Sequence, residues 1–409
     1  MNFFYIILVI ISLGFILERF LEYLNVTRFF DNLPEELIGI YDEERYKKSQ
    51  HYLRKKQKFT WVVDVSTFMT TIVLLLTGGF VWLDDLWRHF TVNPVLLALL
   101  FFGTIGIVAS FASIPFEAYS TFVIEEKFGF NTTSVRTFIS DILKGWALGA
   151  IVGGGLLALV VWIYNSTGNL FWLIVWGVLT LFAIFMSMFY SNLIVPLFNK
   201  QTPLEPGPIR DAIETFARKV GFRIKNIYVI DGSKRSTKAN AYFSGLGVKK
   251  RIVLYDTLIK DHSTEELVGV LAHEIGHYKM KHSLKGILVS VFQFGLMLFL
   301  LSLFIRKDSA LSGALCQSLK GFSDLPVTPG FHLGILAFGL LYSPLSLILG
   351  ILGNMLSRRN EFSADRFAGR NYQPRALQNA LKKLSVNTLS NLRPHPLYVF
   401  FYYSHPTLL

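Results

Sequence analysis

The sequence predicts an all-α polytopic membrane protein with one small α+β segment outside the bilayer. Three observations carry this. Only 17% of the 409 residues are charged and 52% are hydrophobic, whereas soluble domains carry about a quarter charged residues. Seven stretches are apolar over the roughly 20 residues a helix needs to cross hydrocarbon. The Lys and Arg residues are shared very unequally between alternate connecting segments, as in a chain threaded through a membrane.

The first span, 2–23, lacks a basic start and a small-residue cleavage site and runs straight into "ERFLEYLN". It is therefore expected to be retained rather than removed as a signal peptide. The second, 61–83, holds Asp64 within "WVVDVSTFMTTIVLL", and a carboxylate at that depth is expected to face protein or water. The third covers 95–117. The fourth, 145–164, opens with Gly145, Gly149 and Gly153, a four-residue spacing that predicts a tight helix–helix contact. The remaining spans are 170–195, 286–305 and 331–353.

Between the fifth and sixth spans, residues 199–285 form the one large extramembrane segment. It combines an amphipathic helix ("PIRDAIETFARKVGF"), a strand ("NIYVI") and a hairpin ("NAYFSGLGVKKRIVLY"). The chain thus divides into a five-span region (1–198), an extramembrane segment (199–285), the last two spans (286–353) and a carboxyl-terminal segment (354–409).

Seven crossings place the termini on opposite sides. Of 40 Lys and Arg, only Arg88, Arg306, Lys307 and Lys320 fall in loops on the amino-terminal side. The amino terminus is therefore expected outside, with 199–285 and the carboxyl terminus cytoplasmic. The same asymmetry explains the net charge of +12. No aromatic-basic binding module is visible, so nucleic acid is not expected as a partner. Cys316 is the single cysteine, which excludes an intrachain disulfide and a thiolate-only metal site. It is expected on the membrane face opposite the cytoplasmic segment.

The chemistry is concentrated in "VLAHEIGHYKMKH", 270–282. Ser263 and Glu266 have capping-box spacing at the start of this helix, and Leu267, Val270, Leu271, Ile275 and Tyr278 recur at helical period. His273 and His277 are then one turn apart on one face, the arrangement by which two imidazoles grip zinc. Glu274 is offset around the helix, where it can act as general base toward water. His51, His89, His262, His282 and His332 are expected to be structural or solvated.

Catalytic zinc takes three protein ligands, and the third donor is sought in "NMLSRRNEFSADRFAGR". Glu361 and Asp365 are four residues apart, so Glu361 can ligate while Asp365 holds the free nitrogen of a ligand histidine. The competing reading is a surface helix with ion pairs among Glu361, Asp365, Arg358 and Arg366. Topology favours the first. Two spans separate His277 from Glu361, which returns the chain to the same face.

These residues resemble the CAAX prenyl protease 1 family. The pattern N-x-x-S-R-x-x-E-x-x-A-D is met by Asn354, Ser357, Arg358, Glu361, Ala364 and Asp365. "PFEAYSTFVIEEKFGFN", "SDILKG" and "KANAYFSGLGVKKRIVLYDTLI" extend the likeness from about residue 115 to the end. The resemblance implies seven helices forming a barrel around a water-filled chamber, with a cytoplasmic zinc-protease domain. It implies one Zn2+ on His273, His277 and Glu361, Glu274 as base, and Asp365, Asn354 and Arg358 in support. Asn240 and Ala241 would bind substrate backbone as a strand edge does, and His405 in "YSHPTLL" would stabilise the oxyanion. His395 in "RPHPL" is the weaker competitor for that role. The family's arginine several residues further on has no counterpart before Leu409.

The implied reaction is removal of the last three residues from a prenylated C-a-a-X tail, in contact with membrane lipid. The compact loops suggest a bacterial host and an inner-membrane location, where quality control on unprenylated proteins would be the task. A eukaryotic host implies the endoplasmic reticulum. A transporter or scaffold with a structural zinc site is the reading from another class; Glu274 argues against it.

Overall fold

Asp42 accepts a hydrogen bond from the Arg45 backbone N–H (2.7 Å) and opens the helix Glu43–Thr77. The side chain of Asn93 does the same for Val95 and Leu96 ahead of Pro94, and Ser134 caps Val135–Leu148. Such caps satisfy the orphan N–H groups of a first turn, and they divide the apolar sequence into separate rods. The computed structural model of the chain describes residues 3–222, 224, 227–244, 251–306 and 309–408.

Among the described residues, six helical stretches are long and apolar enough to cross a membrane. They are Phe3–Val26, Glu43–Thr77, Pro94–Phe128, Val135–Phe198, His282–Phe304 and Phe331–Asn371. The 64-residue Val135–Phe198 stretch holds both the fourth and the fifth expected spans. It is divided at Gly168, where the backbone leaves helical space (φ 56°, ψ −127°), and resumes as Phe171–Leu193.

Two expectations about the membrane helices are corrected. The second span was expected to continue to residue 83, but its helix stops at Gly78, in the left-handed region with φ 71°, and a new helix runs Gly79–Arg88. A Cβ on Gly78 would stand 2.5 Å from the Lys320 carbonyl and from Ser323 Oγ, so both the turn and the close approach require glycine. The tight contact expected at Gly145, Gly149 and Gly153 is absent: among the described residues, no atom of another element lies within 4 Å of where their Cβ atoms would be. The helix widens there into a π turn, Gly149–Gly153. A Cβ on the following Gly154 would lie 3.8 Å from Leu99. Asp64 meets its expectation, pairing with Arg19 of the first helix at 2.5 Å.

Residues 199–285 build a four-stranded sheet in the order β1-β2-β4-β3. The strands are β1 Gln201–Pro203, β2 Ile227–Ile230, β3 Ala241–Ser244 and β4 Arg251–Tyr255. β2 lies parallel to β4, and β3 antiparallel to it with Ala241 opposite Leu254. The hairpin expected from the sequence is therefore present; its turn, 245–250, lies outside the described residues, as do Asn226 and Lys307. Ile252, Val253 and Leu254 are all buried, as suits a central strand covered on both faces. β3 is an edge, with one side unpaired among the described strands.

The two largest of four apolar cores among the described residues hold these parts. Ile7, Leu75, Phe101, Val161, Val175 and Leu301 join the membrane helices, and Cys316 is buried with them. In the second core, Ile213 and Phe216 of the helix Pro208–Lys219 pack with Ile227, Ile252 and Leu254 against Leu267, Leu271 and Ile275. Full burial of each such side chain contributes about 1.5–3 kcal/mol, which seats the motif helix firmly on the sheet. The boundaries read at 285/286 and 353/354 fall inside continuous helices. The 41-residue helix Phe331–Asn371 spans roughly 60 Å. It carries the chain from the end holding Gly330, beside Cys316, to the level of the sheet.

Candidate metal centre

Ser263 accepts from the Glu266 N–H while Glu266 accepts from the Ser263 N–H, so the expected capping box opens the helix Thr264–Lys279. Its apolar face is consumed by the sheet core, which turns His273 and His277 toward Phe331–Asn371. Two glycines make that approach close. A Cβ on Gly276 would lie 3.2 Å from the Ala364 carbonyl, and one on Gly269 would lie 2.8 Å from the Leu377 nitrogen. The helix therefore beds directly on its neighbours' backbones, and Glu361, 7% exposed, reaches the histidines.

His273 Nε2 lies 3.3 Å from Glu361 Oε2, and His277 Nε2 lies 3.4 Å from Oε1. The two Nε2 atoms are 3.0 Å apart. A tetrahedral zinc with bonds of about 2.0–2.1 Å sets its ligands about 3.3 Å from one another. Each Nε2 lies near this spacing from one of the two Glu361 carboxylate oxygens, and the three residues are the group of described His, Cys, Asp and Glu residues that could hold a metal ion. The ion-paired surface helix is not what forms. Arg358 is turned to backbone carbonyls instead, as described below.

The outer nitrogens are also engaged. Asp365 Oδ1 is 2.8 Å from His273 Nδ1, so a proton on Nδ1 leaves the Nε2 lone pair free. His277 Nδ1 is 3.0 Å from His282 Nδ1, whose own Nε2 is 3.2 Å from Ser363 Oγ; Ser363 donates to the Asn360 carbonyl. The protons can be placed throughout: His277 Nδ1–H donates to His282, His282 Nε2–H donates to Ser363, and Ser363 donates onward. His282 was expected to be merely structural or solvated, and the structure places it behind His277. Lys281 takes φ 58° between the two helices, and this reversal swings His282 back onto His277. A helical pattern read from sequence does not contain that turn.

Burial alone would lower the pKa of His273, but hydrogen bonds to Asp365 and Glu361 hold it up to about 10. Burial pushes the Glu274 carboxyl up, against the lowering influence of His273 and His277. A cavity of about 840 Å3 opens from these residues and runs between His282–Phe304 and Phe331–Asn371. Glu274 and His405 line it near the donors; Val289, Phe294, Met297 and Leu349 give it apolar walls further along.

His405 is largely exposed, with Nε2 3.5 Å from Glu361 Oε1. Asn354 donates to the Phe401 carbonyl (2.7 Å), and Arg358 donates to the carbonyls of Val399 and Tyr403. These two residues thus fasten the segment that delivers His405. His395 stands elsewhere, capping the helix Pro396–Tyr402 through Leu397 N–H. Asn240 and Ala241 do not line the cavity; β3, which begins at Ala241, reaches it at Phe243. The Asn240 side chain instead accepts from the Ala241 N–H at 2.8 Å.

An H-E-x-x-H helix joined by a glutamate from a second helix, at the end of an apolar helical assembly, defines a multi-pass membrane metallopeptidase. The family follows from comparison. Residues 22–200 match the family described as CAAX prenyl protease N-terminal, five membrane helices, and residues 203–409 match Peptidase family M48. The chain belongs to the CAAX prenyl protease 1 group of this zinc metalloprotease family. It is 35% identical to the probable CAAX prenyl protease 1 of Schizosaccharomyces pombe, over 92% of this chain and 80% of that protein. Identity to CAAX prenyl protease 1 of Saccharomyces cerevisiae is 34%, over 96% and 91%, and to the human homolog 30%, over 92% and 87%. The crystal structure of S. mikatae Ste24p superposes with a TM-score of 0.92 at 33% identity, covering 100% of this chain and 97% of that one.

Proposed function

We propose that the chain is a zinc endopeptidase that removes the end of C-a-a-X-type tails, prenylated ones preferentially, at the cytoplasmic face of the endoplasmic reticulum. The observation that carries this reading is the grouping of His273, His277 and Glu361: the two Nε2 atoms are 3.0 Å apart, and each is 3.3–3.4 Å from one of the two Glu361 carboxylate oxygens. Bound there, one zinc ion supplies Lewis-acid polarisation of the scissile carbonyl and acidifies water.

The chain's own residues supply the rest. Glu274 takes the proton of the attacking water and returns it to the leaving amine; its burial raises its proton affinity toward that double task. His405 donates a hydrogen bond to the developing oxyanion, held in place by Asn354 and Arg358. Asp365 and His282 keep His273 and His277 in the tautomers that present Nε2. The substrate backbone adds to the open edge of β3 at Asn240 and Ala241, and Phe243 carries that strand to the cavity.

Counting the Val135–Phe198 stretch as two crossings yields seven, in a barrel whose chamber is formed by 1–198 and 286–353. Residues 199–285 and 354–409 then make up the catalytic α+β part. The apolar walls suit a prenyl chain, since Met297 lies about 22 Å along its helix from His282 and each buried methylene contributes about 0.8 kcal/mol. The eukaryotic relatives named above favour the endoplasmic reticulum over a bacterial inner membrane.

Purified protein should be given matched prenylated and unmodified C-a-a-X peptides with and without a zinc chelator, and the products weighed by mass spectrometry. The expected result is chelator-sensitive loss of three residues, faster for the prenylated peptide. Equal cutting of both peptides would favour the quality-control reading. No cutting of either would overturn the proposal.

A further inference from the structure

A second groove, about 790 Å3, lies apart from the metal centre and shares no lining residue with it. One wall is a stripe of the helix Glu43–Thr77, His51, Lys55, Lys58, Phe59 and Val62, which recur at helical spacing on one face. The facing wall is Phe116 and Tyr119 at the end of Pro94–Tyr119. The π turn Ser120–Glu125 then brings Ile124 and Lys127 onto the rim.

Two properties of this groove point to one kind of ligand. The first is charge. Arg54, Lys55, Lys58 and Lys127 line it together with His51, and among the described residues no carboxylate does. Arg54 is paired with Asp31 at 2.6 Å, whereas Lys55, Lys58 and Lys127 have no ion pair or hydrogen bond among the described residues. The second is the order of polarity. Along the helix the cations stop at Lys58, and from Trp61 onward the sequence is mainly apolar, so the groove passes from ammonium groups to aromatic and aliphatic walls within about 10 Å. A phosphate followed by a hydrocarbon tail has the same order. Bare positive charge at the end of a membrane helix would serve topology alone, but it would not require a walled apolar continuation.

We propose that this groove binds one anionic phospholipid, its phosphate among Lys55, Lys58 and Lys127 and one acyl chain along Phe59, Val62, Phe116 and Tyr119. The full chain, purified in detergent, is titrated with phosphatidylserine and with phosphatidylcholine of the same acyl chains, and adducts are counted by native mass spectrometry. Inorganic phosphate serves as a competitor. The expected result is one phosphatidylserine per chain, bound at least tenfold more tightly than phosphatidylcholine and not displaced by millimolar phosphate. Lys55→Gln/Lys58→Gln/Lys127→Gln should weaken it at least tenfold. Val62→Trp, which keeps every cation but fills the apolar end, should do the same. Lys47→Gln/Lys48→Gln/Lys260→Gln, which removes equal charge from exposed positions elsewhere, should leave it unchanged. The proposal is overturned if either groove variant weakens binding less than tenfold, if the control triple weakens it equally, if phosphatidylcholine binds as well, or if phosphate displaces the lipid.

Discussion

Replacing His282 with leucine isolates the hydrogen-bond chain behind His277. The leucine keeps comparable bulk but removes the acceptor 3.0 Å from His277 Nδ1. A buried N–H left without a partner costs about 1–3 kcal/mol. Loss of an outer partner of a metal-ligating histidine typically costs 10–100-fold in metal affinity, which is about 1.4–2.7 kcal/mol, so the two estimates agree. Zinc affinity, measured by competition with a chromophoric chelator, should therefore fall 10–100-fold in His282→Leu. His282→Gln should recover most of the loss, because an amide oxygen can accept from His277 and its NH2 can donate to Ser363. A leucine variant that holds zinc within threefold of wild type would refute the reasoning, as would a glutamine variant no better than leucine.

Other positions give independent checks. His405→Ala should lower kcat by about 10²–10³, the usual effect of losing one oxyanion donor, with zinc content unchanged. Arg358→Leu should lower kcat by roughly tenfold through a loosened carboxyl-terminal segment, again with zinc retained; metal loss in that variant would show that Arg358 acts on the ligands instead. Gly269→Ala forces a Cβ to within 2.8 Å of the Leu377 nitrogen. It should cost about 1–3 kcal/mol of stability, read as a lower thermal midpoint; an unchanged midpoint would mean the helices separate freely.

The apolar rods, the sheet and the grouping of His273, His277 and Glu361 were legible because each rests on a local rule. A span needs only length and hydropathy, so each of the seven expected spans overlaps one of the six apolar stretches, two of them sharing Val135–Phe198. His273 and His277 share a helix face by periodicity, and Glu361 could be assigned to the same side by counting crossings. What stayed hidden depends on single backbone reversals and on three-dimensional neighbours. Gly78 ends a helix inside an unbroken apolar run, because its left-handed conformation matters more than the hydropathy around it. Gly145, Gly149 and Gly153 have the spacing of a contact motif but face open space, and the helix widens from Gly149 to Gly153. His282 joins the site only because Lys281 turns the chain back, and Asn354 and Arg358 could be listed from a motif without revealing that they fasten His405.

The most direct test is a paired measurement on wild type, Glu274→Gln and Glu361→Ala, with zinc per chain by elemental analysis and peptide cleavage in the same preparations. Expected are one zinc and cleavage in wild type, one zinc without cleavage in Glu274→Gln, and loss of both in Glu361→Ala. Retained cleavage in Glu274→Gln, or a full complement of zinc in Glu361→Ala, would contradict a metal centre built on His273, His277 and Glu361 with Glu274 as its base.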